Sequence, residues 1–273
     1  TAAMTFRAES LRYELVLSTA AQADHGEGRL LDPASAESAI ELTAFVSCFN
    51  ESALIEQTLA DVCQALRQAG QSFEILVIDD ASTDDSAACV ARFIEGHPEE
   101  RLILRRNLKN QGLSQNYIDG AFLGKGRYYK LFCGDNTEPP ESIIQICGLM
   151  GQADIIIPHY LSVDGKSAFR KALSGAYTSL VNLVSGNRIS YYNGLHLHRR
   201  YNIMRWHPNT RGFGFQADIV CMLLEQGMTH LEVGVPAINR GESGALNWRN
   251  VLSVGHTLTD IAIRRMANLV YGR

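Results

Sequence analysis

Several acidic side chains follow apolar segments of the chain, at points where a carboxylate is suited to chemistry. Asp79 and Asp80 follow the run EILVI, and Asp135 follows YYKLFC and Gly134. Adjacent carboxylates repel each other unless a cation or hydrogen-bond donors engage them. A carboxylate at a strand end can also hold a divalent cation that neutralises a diphosphate as charge develops on it. The structural alternatives are a cap for a helix beginning near Thr83 and a polar turn at Gly134-Asp135.

A carboxylate and two histidines in the second half of the chain also have suitable chemistry. Asp218 ends the motif GFGFQAD at the predicted start of a helix. There its carboxylate can stabilise the helix N-terminus. His196 and His198 alternate with leucines on a short predicted strand. They lack a third ligand at metal spacing, so we expect surface packing, or a phosphate or sugar contact, and no zinc site.

The elements that must position these side chains alternate regularly between Glu41 and Pro158. Five apolar runs (42–49, 73–80, 101–106, 128–134 and 153–158) are separated by four stretches with helical periodicity (52–70, 82–98, 112–126 and 139–151). Ser52 is the expected cap of the first helix. This alternation, over about 110 residues, predicts a parallel sheet with helices on both faces.

The carboxyl ends of the predicted strands define a candidate ligand site. Ligands of open parallel sheets bind beyond these ends. Phe49-Asn50-Glu51, Asp79-Asp80 and Gly134-Asp135 should therefore gather on one rim. No GxGxxG follows the first strand and no GxxxxGK[ST] occurs, which disfavours a dinucleotide or P-loop site.

The remaining segments lie outside this alternation. Residues 1–40 form an N-terminal extension in which LRYELVLST is a strand or a short helix. After Pro158 the pattern predicts a helix, the short strand NGLHLHRR, a helix from FGFQAD, and the strand THLEVGVPAI, which complete a domain over 41–247. The final segment, 248–273, is a predicted amphipathic helix with Arg264 and Arg265 between its apolar positions. It lies on an anionic membrane surface, or packs on the sheet or on a partner chain.

The bulk composition limits the class of protein. The chain has 273 residues, 46% of them hydrophobic, and a net charge of −4, which excludes global disorder and gives no basic field for nucleic acid. Six cysteines without metal spacing predict reduced thiols in a cytoplasmic protein. No apolar run reaches the roughly 20 residues of a spanning helix, and no signal-peptide pattern is evident.

Four stretches in order carry a family resemblance: AFVSCFNE, EILVIDDASTDDS, NLKNQGLSQNYIDGAFLGKGRYYKLFCGDNTEPP, and the series NGLHLHRR, RGFGFQADIVCMLLEQG and LEVGVPAINRGESG. Residues 41–247 thereby resemble family 2 glycosyltransferases of the GT-A fold, and among them the dolichol- or polyprenyl-phosphate sugar transferases. The resemblance implies an α/β, mostly parallel sheet. It also implies inverting, Mg²⁺- or Mn²⁺-dependent transfer from a nucleoside-diphosphate sugar to a lipid-linked phosphate or other membrane lipid.

The same residues fit two other functions. One is a soluble glycosyltransferase that acts on a glycan or small-molecule hydroxyl with Asp218 as base. The other is a nucleotide-sugar-binding protein without catalysis. For a lipid acceptor, the protein would dock peripherally on the cytoplasmic face of a membrane or through a membrane-protein partner.

The resemblance also assigns a donor site. Its expected members are Phe49, Asn50, Glu51, Asp79, Asp80, Gly112, Gly134 and Asp135. Asp80 would face the nucleobase. Asp135 matches the last residue of the family's Asp-x-Asp metal motif, whose first Asp is replaced here by Cys133. One carboxylate instead of two would therefore hold the metal.

The resemblance further assigns an acceptor and phosphate site. Its expected members are Arg199, Arg240, Ser243 and Arg249, with Asp218 and Arg240 in catalytic roles. Arg240 matches the phosphate-binding arginine after the family's EVP strand. The Gly-x-Ser-Lys that follows in the family is not reproduced after Ser243, and Arg249 is the expected substitute. Arg199 and Arg200 would join Arg240 and Arg249 in a cationic cluster beside the donor.

Overall fold

The structure is a computed structural model that describes residues 4–6, 13–25, 40–163, 168–206, 214–238 and 248–271. The strands are β1 Met4–Phe6, β2 Tyr13–Leu17, β3 Leu42–Cys48, β4 Phe73–Asp79, β5 Leu102–Asn107, β6 Tyr128–Cys133, β7 Ile155–Val163, β8 Leu197–Arg199 and β9 His230–Ala237. The helices are α1 Thr19–His25, α2 Ile55–Gln68, α3 Ser86–Gly96, α4 Leu113–Leu123, α5 Pro140–Gly148, α6 Ala168–Ser185, α7 Arg200–Met204, α8 Phe215–Glu225 and α9 Trp248–Tyr271.

The strands form one mostly parallel sheet, as the alternating pattern predicts. Their order is β1-β2-β5-β4-β3-β6-β8-β7-β9. The four strands β5, β4, β3 and β6 pair in parallel, and β7 pairs in parallel with β9. β8 runs antiparallel to both β6 and β7. The sheet therefore continues the parallel core on the far side of one reversed strand.

The central strand β3 shows why the parallel region forms. Its sequence, LTAFVSC, is apolar on both faces and almost wholly buried. Phe45 joins one hydrophobic cluster with Tyr117 of α4. Val46 faces the other cluster with Leu59 of α2. A strand covered by helices on both sides reads as a continuous apolar run, which explains the pattern in the sequence.

The N-terminal residues contribute an edge to the same sheet. LRYELVLST proves to be a strand over Tyr13–Leu17, and β2 pairs antiparallel with β5. The Arg105 guanidinium lies 4.2 Å from the centroid of the Tyr13 ring. The helix that follows β2, α1, occupies Thr19–His25 within the N-terminal extension.

The predicted cap of α2 is wrong. The helix begins at Ile55 after Leu54, and no side chain caps it. The Ser52 backbone N–H donates instead to Asp84 Oδ2 at 3.1 Å. Ser52 therefore joins the polar loops at the ends of β3 and β4, because the chain makes a further turn before the helix starts.

The C-terminal helix α9 packs on α6 and α8. Thr257 is buried against Gly214, where its side chain leaves no room for a Cβ atom. Arg265 Nη1 donates to the carbonyl oxygens of Leu183 and Val184 at 3.1 and 2.9 Å. Within the described ranges, no helix combines the length and apolar character that crossing a membrane requires.

Candidate functional site

Strand order creates a crevice at the carboxyl ends of β3, β4 and β6. The chain passes from β3 to β4 and β5 on one side, and then returns to place β6 on the other side of β3. The Asp80 N–H donates to the Cys48 carbonyl oxygen, and the Gly134 N–H donates to that of Ser47, both at 2.9 Å. The strand ends therefore meet where the strand order reverses, which is the usual ligand position in open α/β sheets.

Backbone strain is concentrated at the same three strand ends. Among the described residues, the non-glycine residues with positive φ are Asn50, Ala81 and Asn136, at 58°, 62° and 54°. Each follows a central strand by two or three residues. Thr83 supports the first of these turns, because its N–H donates to Asn50 Oδ1 at 2.9 Å. Strain of this kind gathers at functional sites, where surrounding contacts hold it in place.

Asp80 joins the end of β4 to the loop before α4. Its Oδ1 accepts hydrogen bonds from Asn107 Nδ2 and the Gln111 N–H, both at 2.8 Å. Its Oδ2 accepts the Gly112 N–H at 2.8 Å, at the residue where φ is +84°. The buried Asp80 therefore shapes the loop and does not cap α3, which begins at Ser86. A carboxylate oxygen accepts two hydrogen bonds, so Oδ2 retains capacity for a ligand donor.

Asp79 is also buried but is less completely satisfied. Its Oδ2 accepts the Ser82 N–H at the long distance of 3.4 Å. Its Oδ1 has no hydrogen-bond partner in the part of the chain that the structure describes. Burial, and then the charge of Asp79, raise the pKa of the Cys48 thiol to about 12. Asp79 thus brings negative charge and acceptor capacity to the crevice beside the exposed ring of Phe49.

The Asp135 loop is held tightly against β3 and α2. A Cβ atom on Gly134 would lie 2.6 Å from the Ser47 carbonyl oxygen and 3.2 Å from Glu51 Cγ, so only glycine fits. Thr58 Oγ1 donates to the Gly134 carbonyl oxygen at 2.8 Å. Close packing of the protein itself therefore requires this glycine.

Negative charge collects around Asp135. Burial raises the pKa of Glu51 above its usual 4.5, and the charges of Asp135 and Asp84 add to the shift. Burial, and then Asp135, raise the pKa of the Cys133 thiol, so this residue is protonated at neutral pH and is a poor metal ligand. The neighbouring carboxylates would be stabilised by a bound cation.

The metal-binding side chains available here suit a cation that takes most of its ligands from a bound substrate and from water. In the described ranges, no group of three His, Cys, Asp or Glu side chains is arranged to hold a metal ion. Asp135 supplies carboxylate oxygen, which suits Mg²⁺ and Mn²⁺. These ions commonly use one or two carboxylates together with substrate phosphates and water.

Asp218 has a different environment. It lies in the first turn of α8, as predicted, and is buried. Trp206 Nε1 donates to its Oδ2 at 2.7 Å, and Arg264 Nη1 donates to its Oδ1 at 2.8 Å. Arg264 Nε also donates to Glu225 Oε2 at 2.6 Å. Each Asp218 oxygen therefore accepts one hydrogen bond from a side chain of the protein, an arrangement typical of a structural carboxylate.

The predicted position of Arg199 beside the donor is corrected by the sheet register. Arg199 pairs with Tyr128 at the start of β6, whereas Asp135 follows the end of that strand. A six-residue strand spans about 17 Å, so Arg199 and Asp135 lie near opposite ends of β6. Arg200 also lies near the amino end of β6, where its Nε donates to the Gly126 carbonyl oxygen at 2.6 Å.

The two histidines are buried, which corrects the expectation of a surface position. His198 Nε2 lies 2.9 Å from the Tyr117 hydroxyl. Burial lowers the pKa of His196 to about 3 and that of His198 to about 4, so both are neutral at pH 7. Their alternation with leucine reflects packing on two covered faces of the sheet.

Some expected acceptor residues lie outside the described residues. Arg240 and Ser243 fall in the segment 239–247. The backbone of Arg249 belongs to α9, but its side chain is not described. The structure reveals instead the buried pair Lys130 and Glu138, which sequence analysis missed because the charged residues stand eight positions apart in an apolar context.

Comparisons with known proteins agree with this architecture. Residues 43–213 match the family described as Glycosyl transferase family 2. An undecaprenyl-phosphate 4-deoxy-4-formamido-L-arabinose transferase from Pectobacterium carotovorum is 27% identical over 139 residues, which are 51% of this chain and 41% of that protein. A dolichyl-phosphate beta-glucosyltransferase from Dictyostelium discoideum is 29% identical over 103 residues, 36% and 32% of the two chains. The chain thus spans less than half the length of these curated relatives.

Solved structures share the fold at low sequence identity. A mannosyltransferase from Pyrobaculum calidifontis in complex with GDP-Man and Mn²⁺ superposes with a TM-score of 0.61 and 17% identity, over 89% of this chain and 70% of that one. A glucosyl-3-phosphoglycerate synthase from Mycobacterium tuberculosis, in complex with Mn²⁺, UDP and phosphoglyceric acid, gives 0.61 and 14% identity, over 82% and 78%. Both likenesses concern the GT-A fold.

Proposed function

The chain belongs to glycosyl transferase family 2, and on that premise we propose that it transfers a sugar from a nucleoside-diphosphate sugar to a lipid-linked phosphate. The observation that carries the proposal is the meeting of Asp79, Asp80 and Asp135 where the strand order reverses. The first two follow β4 and the third follows β6. Asp79 and Asp80 offer hydrogen-bond acceptors for a nucleobase on one side of β3. Asp135 offers a carboxylate for a metal-bound diphosphate on the other side.

The donor lies across the carboxyl end of β3 in this proposal. The free acceptor capacity of Asp79 and Asp80 suits N–H groups of a nucleobase, and the exposed Phe49 ring covers the base. Asp135 holds Mg²⁺ or Mn²⁺, with Glu51 close enough to strengthen the negative field. The bound metal neutralises charge on the departing diphosphate. The mannosyltransferase solved with GDP-Man and Mn²⁺ supports this choice of ligands.

The acceptor attacks the anomeric carbon from the face opposite the diphosphate and inverts its configuration. A phosphate acceptor is already ionised at neutral pH and needs no general base. The engagement of Asp218 by Trp206 and Arg264 favours such an acceptor over a sugar hydroxyl. The names of the undecaprenyl- and dolichyl-phosphate relatives support a polyprenyl phosphate.

Two apolar helix stripes support a position at the membrane. The outer side of α6 exposes Phe169, Leu173, Leu180 and Leu183, and that of α9 exposes Leu252, Ile263, Met266 and Val270. Their spacing aligns each set along one side of its helix. We name these residues the α6/α9 surface. The protein would attach peripherally through it to the cytoplasmic face, with apolar contact as the main attraction.

Contacts within the protein engage both α9 arginines. Arg264 binds Asp218 and Glu225, and Arg265 binds carbonyl oxygens of α6. The Arg264 guanidinium is thus committed to two carboxylates, and Nη1 of Arg265 to two carbonyl oxygens. A surface of this kind would bind neutral and anionic membranes similarly, since electrostatic attraction contributes little.

Turnover with defined substrates tests the proposal. UDP-glucose and GDP-mannose would be incubated with Mn²⁺ and either undecaprenyl phosphate or 3-phosphoglycerate, with the Asp135→Ala variant as control. Transfer to the lipid phosphate, abolished in the variant, is expected. Transfer only to a soluble acceptor would refute the lipid substrate, and donor binding without transfer or hydrolysis would indicate a binding protein.

A further inference from the structure

Lys130 is fully buried inside β6, close to the candidate donor site, although the proposed chemistry does not use it. Its Nζ donates to both Glu138 oxygens, at 2.9 and 2.8 Å. It also donates to the Leu195 carbonyl oxygen at 2.9 Å. Lysine is rarely buried completely unless it is paired. This side chain therefore connects three separate segments: a strand, the loop after it, and the segment before β8.

Stability is a poor explanation for such a pair. Removing two charges from water is costly, and well-packed apolar residues often replace a buried ion pair without loss of stability. Burial raises the pKa of Glu138, while Lys130 opposes that shift. The pair therefore imposes an electrostatic cost that an apolar core would avoid. A requirement for defined geometry is a more direct reason for it.

The location of Glu138 identifies what the pair can fix. Glu138 follows Asp135 by three residues in the loop between β6 and α5. Before Asp135, the loop is held by Thr58 Oγ1, which donates to the Gly134 carbonyl oxygen. Directly after Asp135, Asn136 Nδ2 donates to Asp61 Oδ2 at 2.8 Å.

The far side of the loop has its own attachments. Beyond Asp135, the Ile238 N–H donates to the Thr137 carbonyl oxygen at 2.9 Å. Glu138 is then fixed by Lys130, at the point where the loop enters α5. The Asp135 carboxylate is thus presented by a backbone that is anchored on both of its sides.

We propose that Lys130 and Glu138 are positioning residues for Asp135, which set the backbone of its loop so that the carboxylate meets a diphosphate-bound cation in one orientation. This inference rests on the proposed function. Groups that orient a metal-binding side chain without touching the metal commonly change metal affinity or activity 10–100-fold when removed. The effect should therefore be separable from any effect on stability.

The decisive variant is Lys130→Met/Glu138→Leu, which removes both charges and keeps similar volumes. Its melting temperature should fall only slightly, since no unpaired charge is left buried and the chief loss is the donor to the Leu195 carbonyl oxygen. In the presence of UDP or GDP, the concentration of Mn²⁺ that half-saturates the protein should rise about 10-fold or more, as measured by electron paramagnetic resonance. The kcat should fall more than the donor KM rises. Full retention of Mn²⁺ affinity and kcat would overturn the inference.

Amide hydrogen exchange separates this inference from the proposed function. Exchange at Asp135 and Asn136 should accelerate in the double variant even if wild-type protein binds no Mn²⁺ with either nucleotide. That failure to bind would refute the proposed function alone. Unchanged exchange would refute positioning by the pair.

Two further variants control for folding. Glu74→Gln alters another buried carboxylate, at the amino end of β4 and so away from Asp135. This substitution should leave Mn²⁺ affinity unchanged. If the double variant does not fold, Glu138→Gln keeps the side-chain size and one acceptor for Lys130. It should still weaken Mn²⁺ binding several-fold, and unchanged binding would count against the inference.

Discussion

The Ser47 carbonyl oxygen lies so close to Gly134 that a Cβ atom added to the glycine would approach it to 2.6 Å. This contact joins β3 to the loop that carries Asp135. The backbone carbonyl of a central strand cannot move aside easily, because its neighbours on both sides are paired. The position of the proposed metal-binding carboxylate is therefore coupled directly to the packing of the sheet.

Gly134→Ala should displace the Asp135 loop. We expect a loss of about 1–3 kcal/mol in the free energy of unfolding, as for overpacked sites. Turnover should fall about 100-fold, because a misplacement of about 1 Å has such effects on catalysis. Chemical denaturation and kcat measurements check both values.

The control for Gly134→Ala is Gly148→Ala at the end of α5. A Cβ atom there meets nothing within 4 Å. Alanine also favours helix over glycine, so stability should be unchanged or slightly higher, with normal turnover. Equal effects of the two substitutions would contradict the steric argument.

Asp135→Asn tests the proposed metal carboxylate without changing side-chain size. A neutral amide is a weaker ligand for a divalent cation, so kcat at saturating Mn²⁺ should fall at least about 100-fold. The melting temperature of the metal-free protein should not fall, because the substitution relieves repulsion with Glu51. Wild-type turnover by this variant would exclude Asp135 as the metal-binding residue.

Glu51→Gln should stabilise the metal-free protein at pH 7. The pKa of Glu51 is raised above 4.5, so the folded state binds its proton more tightly than the unfolded state. That contribution to stability is present at low pH and decreases as pH rises through 4.5 and above. Removing the charge should raise the melting temperature by about 1–2 °C at pH 7, because solvent screens a partly exposed group.

The pH dependence supplies the check on Glu51. The stabilisation should disappear at pH 4, where the wild-type carboxyl is largely protonated. It should also shrink when Mn²⁺ and nucleotide are added at pH 7. Glu95→Gln, at an exposed position on α3, is the matched control and should change the melting temperature less at pH 7. An equal shift of the Glu51 variant at both pH values would contradict the assigned cause.

Asp218→Asn distinguishes a structural carboxylate from a general base. Loss of a general base costs about 10²–10⁴-fold in rate. With an ionised phosphate acceptor we expect less than a 10-fold fall in kcat, together with destabilisation of about 1–3 kcal/mol as the Arg264 bond weakens. Single-turnover rates and denaturant unfolding measure the two effects. A 1,000-fold loss of rate without a change in stability would favour the hydroxyl acceptor.

Much of the fold could be predicted from local sequence patterns. The same holds for the donor rim, the carboxyl ends of β3, β4 and β6 where the donor is proposed to bind. The runs LTAFVSC and FEILVID are apolar on both faces, which identifies buried parallel strands. The carboxyl-end rule then brings Glu51, Asp80 and Asp135 to one edge. These arguments need only strand type and chain direction.

The incorrect expectations depended on long-range pairing. Arg199 lies beside the amino end of β6, away from Asp135, because β8 runs antiparallel to β6. No local pattern in the sequence specifies that direction. Arg264 contacts Asp218 across 46 positions of sequence. His198 is buried because Tyr117 of α4 lies against it. Periodicity identifies helices and strands, but it does not say which of their polar residues meet.

The α6/α9 surface makes the last prediction. Ile263→Glu/Met266→Glu places two charges on the outer side of α9, at positions that are 60% and 64% exposed. Both side chains point away from the core, so folding should be preserved. Burying charge at a membrane interface is unfavourable, so sedimentation with liposomes should fall at least about 10-fold.

The matched control is Phe122→Glu, at a residue of α4 that is 58% exposed. Phe122 belongs to neither α6 nor α9, so this substitution should leave liposome binding unchanged. Donor hydrolysis without acceptor should be normal in all three proteins, because none of these residues belongs to the donor rim. Binding should also depend little on salt and on the fraction of anionic lipid, since Arg264 and Arg265 are occupied by protein contacts. Binding that requires anionic lipid and is lost at high salt would show instead that these arginines leave their partners to meet the membrane. If the double variant binds liposomes as the wild type does, the membrane contact is not on this part of α9.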